Sequence, residues 1–302
     1  MRSKRFTGNT GRGFLFPALI VCFFSACSST PKQPAAVWLV RDTAAAQLER
    51  ANREADRGNY SLALSLAAEA RRLAVSVDDP PLRIRTGLSI GNSLFFLGRR
   101  DEADAAWQAA LEDAETEGDA ELAAVSRIYR ARGELLSRIL PAEDPGGNAG
   151  GAVSAIPEIR LRVQAEMGTI RTDPLSVALG WIVIGLAEKE LGRYQEAEDA
   201  LRKALAIHDK ERYLEQAAYD WYLIASVFSV NRRYNDAIAA LKEALKFDRR
   251  AENSYALGKD WLAMGDVYSK EGKQNEAGAA YHRAAEIFRS GGFMPEAEYA
   301  EQ

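Results

Sequence analysis

The residues that staple, ligate and catalyse are scarce in this chain. Its 302 residues include two cysteines and two histidines. Cys22 falls inside an N-terminal apolar stretch, so the chain beyond it holds Cys27 alone and can form no internal disulfide. His208 and His282 stand 74 residues apart, with no Cys, H-x3-H or E-x-x-H pairing around them. A zinc site needs three or four converging ligands. Neither metal nor cofactor is expected, and both histidines read as surface or half-exposed. An excess of basic charge is also missing: 39 Lys and Arg face 43 Asp and Glu, a net charge of −4. That leaves no electrostatic footprint for nucleic acid. Glycine, at 23 residues, is far below one third and has no triplet period, which excludes collagen. The apolar run Phe14–Phe24 has eleven residues and contains Pro17, against the roughly 20 that a helix needs to cross a bilayer.

What is present first is an address. Arg2, Lys4, Arg5 and Arg12, with no acid among them, precede the apolar run, and Ser25, Ala26 and Cys27 follow it. A basic start, a short apolar middle and small residues before a cut form a secretory signal. Phe24-Ser25-Ala26-Cys27 resembles the processing site of bacterial lipoproteins, with Phe24 where Leu is usual. The resemblance implies a cut that leaves Cys27 as an acylated N-terminus, with Ser-Ser-Thr-Pro-Lys-Gln-Pro as a polar tether. Conventional cleavage nearby, or an uncleaved anchor, is the alternative. Loss of residues 1–26 removes four basic residues and leaves 35 against 43 acidic ones, a balance of −8. Anionic lipid does not attract such a body, so acyl chains would have to hold it at a membrane.

The remainder, 47% hydrophobic and 27% charged over the whole chain, is repetitive. Segments starting at Trp181, Trp221 and Trp261 align without a gap at 40-residue spacing, and the same frame fits segments from Gln47 and Gly87. Ala51, Gly91, Gly185, Ala225 and Gly265 form a column of small residues, as close helix approach requires. Gly58, Gly98, Gly192 and Gly272 fall where a left-handed residue ends a first helix, and Arg232 breaks that column. Ala63, Ala103, Ala197, Ala237 and Ala277 form another column, and Ala70, Ala110, Ala204, Ala244 and Ala284 follow seven residues later on the same face.

This pattern resembles the tetratricopeptide repeat, a helix–turn–helix unit with W-x2-L-G-x2-Y and later alanines. Two departures stand out. The spacing is 40 rather than 34, and the usual closing Pro is replaced by Val75, Glu115, Asp209, Arg249 and Arg289. Without that Pro the helices or their joining turn can lengthen. The interval from Ala103 to Ala197 is two periods plus 14 residues, and Pro141–Pro157 within it carries four glycines and three prolines. This reads as a degenerate unit with a swollen turn, or as a boundary between two sub-arrays.

The resemblance implies an all-α, right-handed superhelical solenoid of about six hairpins. The expected layout is a signal at 1–26, lipidated Cys27 and tether to 43, and two repeats over 44–117. A degenerate repeat over 118–176 contains the 141–157 insertion; three repeats over 177–291 and a tail over 292–302 follow. Chemistry finds little support. Glu112 with Asp113, and Glu196 with Glu198, read as solvated helix faces. Gly146–Gly151 lacks the G-K-[ST] ending of a phosphate loop. The pairs Arg71-Arg72, Arg99-Arg100, Arg232-Arg233 and Arg249-Arg250 are expected to answer helix C-terminal dipoles.

In this family the inner face of the first helices lines a groove for peptides or partner helices. Carried over by position, the groove here comprises Asn52, Arg85, Asn92, Phe95, Tyr219, Tyr222, Ser226, Lys259 and Asp266. The carboxylate clamp of chaperone-binding members is absent, since Leu48 and Leu88 stand where Lys is needed and Ser89 where Asn is. Tyr219 and Tyr222 suit an interface as amphipathic anchors, or else pack against neighbouring helices. The function this implies is a non-enzymatic, lipid-anchored protein-interaction scaffold of the bacterial envelope. Ser28 rather than Asp after the Cys tilts it to the outer membrane, facing the periplasm. An accessory subunit of a solute transporter, or of outer-membrane or pilus assembly, is the alternative. An envelope enzyme is more remote. On the targeting reading, Cys27→Ser should abolish fatty-acid labelling and release the body into the soluble fraction; labelling that persists in the variant would refute it.

Overall fold

In the computed structural model, residues 38–140 and 154–302 are described. Among them are thirteen helices and no strand. They pair into hairpins: α1 (Leu39–Asp56) with α2 (Tyr60–Ser76), α3 (Pro80–Phe96) with α4 (Arg100–Thr116), and α5 (Ala120–Ile139) with α6 (Ile156–Met167). Then come α7 (Pro174–Glu190) with α8 (Tyr194–Glu211), α9 (Leu214–Val230) with α10 (Tyr234–Ala251), and α11 (Ser254–Glu271) with α12 (Gln274–Gly291). A short α13 (Met294–Ala300) closes the row. Each helix packs mainly on its chain neighbours, which makes the body a stacked solenoid.

Local chemistry explains where these helices begin and end. Asp79, Asp119, Asp173 and Asn253 cap α3, α5, α7 and α11, each side chain accepting from the backbone N–H three residues on. Pro80 and Pro174 occupy first-turn positions, where a missing N–H costs nothing. Five of the turns inside hairpins repeat one geometry. At the first, Asn59 N–H donates to Glu54 O and Gly58 N–H to Ala55 O, the paired bonds of a Schellman stop. Gly58, Gly98, Gly192 and Gly272 hold φ between 72° and 85° there. Arg232 takes the same left-handed conformation at φ 59° and makes the same pair of bonds. The turns between hairpins reuse the motif with Asp78, Gly118, Arg212, Glu252 and Gly292 in the left-handed position.

The alanine columns are where the hairpins close. Ala63, Ala103, Ala197 and Ala237 are fully buried and Ala277 nearly so; Ala70, Ala110, Ala204, Ala244 and Ala284 are sealed completely. In the small-residue column, a Cβ on Gly91 would lie 2.3 Å from Trp107, on Gly185 2.7 Å from Leu201, and on Gly265 2.3 Å from Tyr281. The core is therefore built by backbone approach as much as by side-chain bulk. Trp181, Trp221 and Trp261 are only half-buried, and each carries a cation over its ring, from Lys203, Arg202 and Arg283 respectively.

Several expectations are corrected. α1 already begins at Leu39, inside the expected tether, and α6 starts at Ile156, inside the expected insertion. The expected tail over 292–302 contains α13, which packs Ala297 and Ala300 onto α12. His208 is 3% exposed, not a surface residue. Glu198, expected on a solvated face, is buried and accepts from Arg202 and Arg233. Arg99 and Arg233 stand at helix starts and reach forward to Glu102 and Asp236 rather than serving a C-terminus. The signal, Cys27 and residues 141–153 of the insertion lie outside the described residues.

Arg232 generates a stability prediction. A non-glycine residue in the left-handed region costs roughly 1–2 kcal/mol, and glycine returns roughly 0.5–1 kcal/mol of that as lost backbone freedom. Arg232→Gly should raise unfolding stability by about 0.5–1 kcal/mol in chemical denaturation. Destabilisation by this exposed substitution would mean the turn does not hold that conformation.

Candidate functional site

The odd-numbered helices α1 to α11 turn one face toward a common concavity. Two adjoining cavities lie there. The wider, about 340 Å³, is walled by α1, α3, α5, α7 and α9, with His208 of α8 at its edge. The narrower, about 170 Å³, lies between α1, α3, α5, α9, α10 and α11, with Tyr60 of α2 at its wall. Ala55, Asp56, Asn92, Arg132, Gln216 and Tyr219 line both.

The cavities share walls because the solenoid curves until its first hairpin meets its fifth and sixth. Gln216 Nε2 donates to Asp56 Oδ2 at 2.8 Å, and Asn253 Nδ2 to Asp56 O at 3.0 Å. Tyr255 lies flat against Gly58, where a Cβ would come within 2.8 Å of the ring. Gly58 is thus required twice, for its left-handed turn and for this contact. Tyr60 stacks on Phe96 at 4.9 Å, and Arg132 reaches over Phe96 while its guanidinium donates to Asn92 Oδ1 at 2.6 Å.

The concave wall is polar and aromatic together. Tyr219 and Tyr222 stack at 6.3 Å, and the Lys259 ammonium sits over the Tyr222 and Tyr255 rings at 5.4 and 5.5 Å. Asn52 Oδ1 accepts from Ser89, and Arg85 pairs with Asp173 at 2.8 Å. Burial lifts the Asp173 carboxyl, but its bonds from Arg85 and the Ser176 N–H outweigh that and hold it below its usual value.

Deeper in, one inter-hairpin position is filled three ways. His208 Nδ1 lies 2.6 Å from Asp220 Oδ2, both buried, and burial pushes Asp220 up to about 6 against the pull of that bond. Forty residues on, Asp248 and Asp260 face each other from α10 and α11, each 2% exposed. Burial pushes both carboxyls well above the usual range, Asp260 the further because Asp248 confronts it. Two such groups can lie together only by sharing a proton. Forty residues further, Phe288 and Ala300 occupy the equivalent places, both buried.

Of the residues expected in the groove, Asn52, Arg85, Asn92, Tyr219, Tyr222 and Lys259 line these cavities. Three do not. Phe95 is 5% exposed and packs against Trp107 on another face. Ser226 donates to its own helix at Leu223 O, and Asp266 accepts from the Tyr281 hydroxyl outside the cavities. Sequence reasoning missed Asp56, Tyr60, Arg132, Glu215, Asp248, Tyr255 and Asp260. A signal for one pair existed, since Asp248 and Asp260 stand one period after His208 and Asp220. The others come together only through curvature. A more voluminous cavity, about 580 Å³, lies elsewhere, between α4, α5 and α6. Its Arg127, Arg130 and Arg162 are already paired with Glu115, Asp104 and Glu134.

A family profile described as tetratricopeptide repeat matches residues 178–209 and 261–290, which fall on α7–α8 and α11–α12. No curated protein matches the chain. Among solved structures, a Rap protein complexed with Competence and Sporulation Factor superposes with a TM-score of 0.54 at 15% identity, over 84% of this chain and 71% of that one. BtubC (BKLC) from P. vanneervenii gives 0.52 at 16%, covering 79% and 91%. The apo form of RapI gives 0.52 at 13%, covering 85% and 69%. At these identities the likeness is one of fold: a right-handed helical-repeat solenoid.

The buried acid pair makes stability depend on pH. Unfolded, Asp248 and Asp260 ionise near 3.8; folded, they keep a proton to higher pH. The folded chain therefore binds more protons above about pH 4, and its stability falls as pH rises, by up to about 1.4 kcal/mol per pH unit for each proton so held. Asp248→Asn should flatten this slope in denaturation between about pH 5 and about pH 8.5. A variant as pH-sensitive as the parent would mean the pair is not its source.

Proposed function

We propose that this tetratricopeptide-repeat solenoid is a non-enzymatic scaffold that holds a peptide or helix of a protein partner in its concave groove. The observation that carries the reading is the aromatic and polar wall there, presented by six first helices around two joined cavities. Tyr219, at 36% exposed, and the half-buried Tyr222 beside it offer stacked rings with hydroxyls, large contact area at little entropic cost. The proposal extends to place. Acyl chains on Cys27 would tether the body to a bacterial envelope, at the outer membrane facing the periplasm, and the processing-site resemblance at Phe24–Cys27 supports this part alone.

Crosslinking in cells from groove positions, followed by mass spectrometry, would identify the partner. Truncating a true interface anchor typically costs about 2 kcal/mol or more. Tyr219→Ala with Tyr222→Ala should therefore abolish capture while leaving helicity and membrane attachment intact. Changing Arg249 and Arg250 should have little effect. Capture that survives the double Tyr change but fails when residues 141–153 are deleted would sink the groove and make the insertion the working element.

A further inference from the structure

The narrower cavity has an unbalanced charge inventory. Asp56, Glu215, Asp248 and Asp260 reach it from α1, α9, α10 and α11. Two cations line the same space, and they act on the acids only from beyond ion-pair distance, Arg132 on Asp56 and Lys259 on Asp248 and Asp260. Arg132 is engaged by Asn92 Oδ1 and the Phe96 ring, and Lys259 by two tyrosine rings. Among the described residues, none of the four carboxyls lies within ion-pair distance of a Lys, Arg or His. Asp248 Oδ1 and Asp260 Oδ2 are sealed from water and receive no N–H. Asp56 is exposed in the bore, so water screens it more than it does the sealed pair.

The walls already show which chemistry they accept. Lys259 demonstrates that an ammonium sits well against Tyr222 and Tyr255, as the negative faces of aromatic rings favour. Four carboxyls outnumber the two cations here, and aromatic faces joined to carboxyls with no cation in ion-pair contact form a cation receptor.

We infer that this cavity binds an alkylammonium or guanidinium group, held by Asp56, Glu215 and the Asp248–Asp260 pair against Tyr219 and Tyr255. The inference rests on the concave groove being the working face and names what its partner supplies there. The group comes either from a Lys or Arg side chain of a bound peptide or from a free diamine. It takes the place of the proton that the acid pair otherwise shares. Binding therefore releases protons, and affinity rises as pH increases through the range where the pair loses its proton.

The test is calorimetry on the purified full chain with three probes: cadaverine, acetyl-Gly-Lys-Gly-amide with its Arg counterpart, and acetyl-Gly-Glu-Gly-amide. Saturable binding of a cationic probe is expected, tightening between about pH 6.5 and about pH 8.5, with proton release seen in buffers of different ionisation heat. Asp248→Asn with Asp260→Asn, checked for unchanged helicity, should weaken it at least about tenfold. Binding of cadaverine points to a free amine, and binding of the peptides alone to a partner's side chain; either supports the site. Silence from every cationic probe up to about millimolar concentration overturns it. So does equal binding by the double variant, or preference for the Glu peptide, which would give the cavity to Lys259 and Arg132. Partner capture that needs Tyr219 and Tyr222 while the cationic probes stay silent would leave the groove standing and remove this inference.

Discussion

Everything in this protein depends on how closely paired helices approach. Ala63, Ala103, Ala197, Ala237 and Ala277 remove side-chain bulk from the second helices. Ala51, Gly91, Gly185, Ala225 and Gly265 do the same for the first. Large residues then pack on bare backbone. Trp107 fills the space that a Cβ on Gly91 or Gly133 would occupy, and its indole N–H reaches Leu88 O at 3.2 Å. Interiors this dense tolerate little change in volume. The left-handed residue that ends α1 to α4 and α7 to α12 is the companion constraint, because it turns the chain back at the short distance that the small columns permit.

Repetition of one approach distance and one turn accumulates as curvature. By the fifth hairpin the chain has come round to its beginning, and Asp56 accepts from both Gln216 and Asn253 across 160 and 197 residues of sequence. That closure converts a row of helices into a lined bore. Tyr60, Phe96, Tyr219 and Tyr255, far apart along the chain, become walls of one cavity. The lined cavity is thus a product of the superhelix, with no single hairpin supplying more than part of its wall.

Within the bore, the repeat frame is also a place for variation. The contact filled by Phe288 and Ala300 at the C-terminal end is a packing contact; one period earlier it is a carboxyl pair, and one earlier again an imidazole with a carboxylate. The backbone tolerates all three because its geometry is set by the columns on either side. Polar chemistry sits where apolar packing would serve stability better, and buried acids without counter-ions are costly. A costly feature that faces a cavity is a natural place to look for what relieves it.

Read alone, the sequence already carried the helices, about six hairpins and the glycine turns at Gly58, Gly98, Gly192 and Gly272. These follow from local periodicity and backbone preference, which act over a few residues and are written openly in Trp221, Gly272 or Ala244. It also pointed to Tyr219, Tyr222 and Lys259, because first-helix positions carry over from unit to unit. Tertiary structure alone decided that Phe95 turns away beneath Trp107, that His208 is buried against Asp220, and that α13 docks instead of trailing. It alone brought Asp56 and Tyr60 to face Glu215, Asp248 and Tyr255. The physical reason is accumulation: each hairpin adds a small rotation invisible in its own residues, and only their sum says which distant side chains meet.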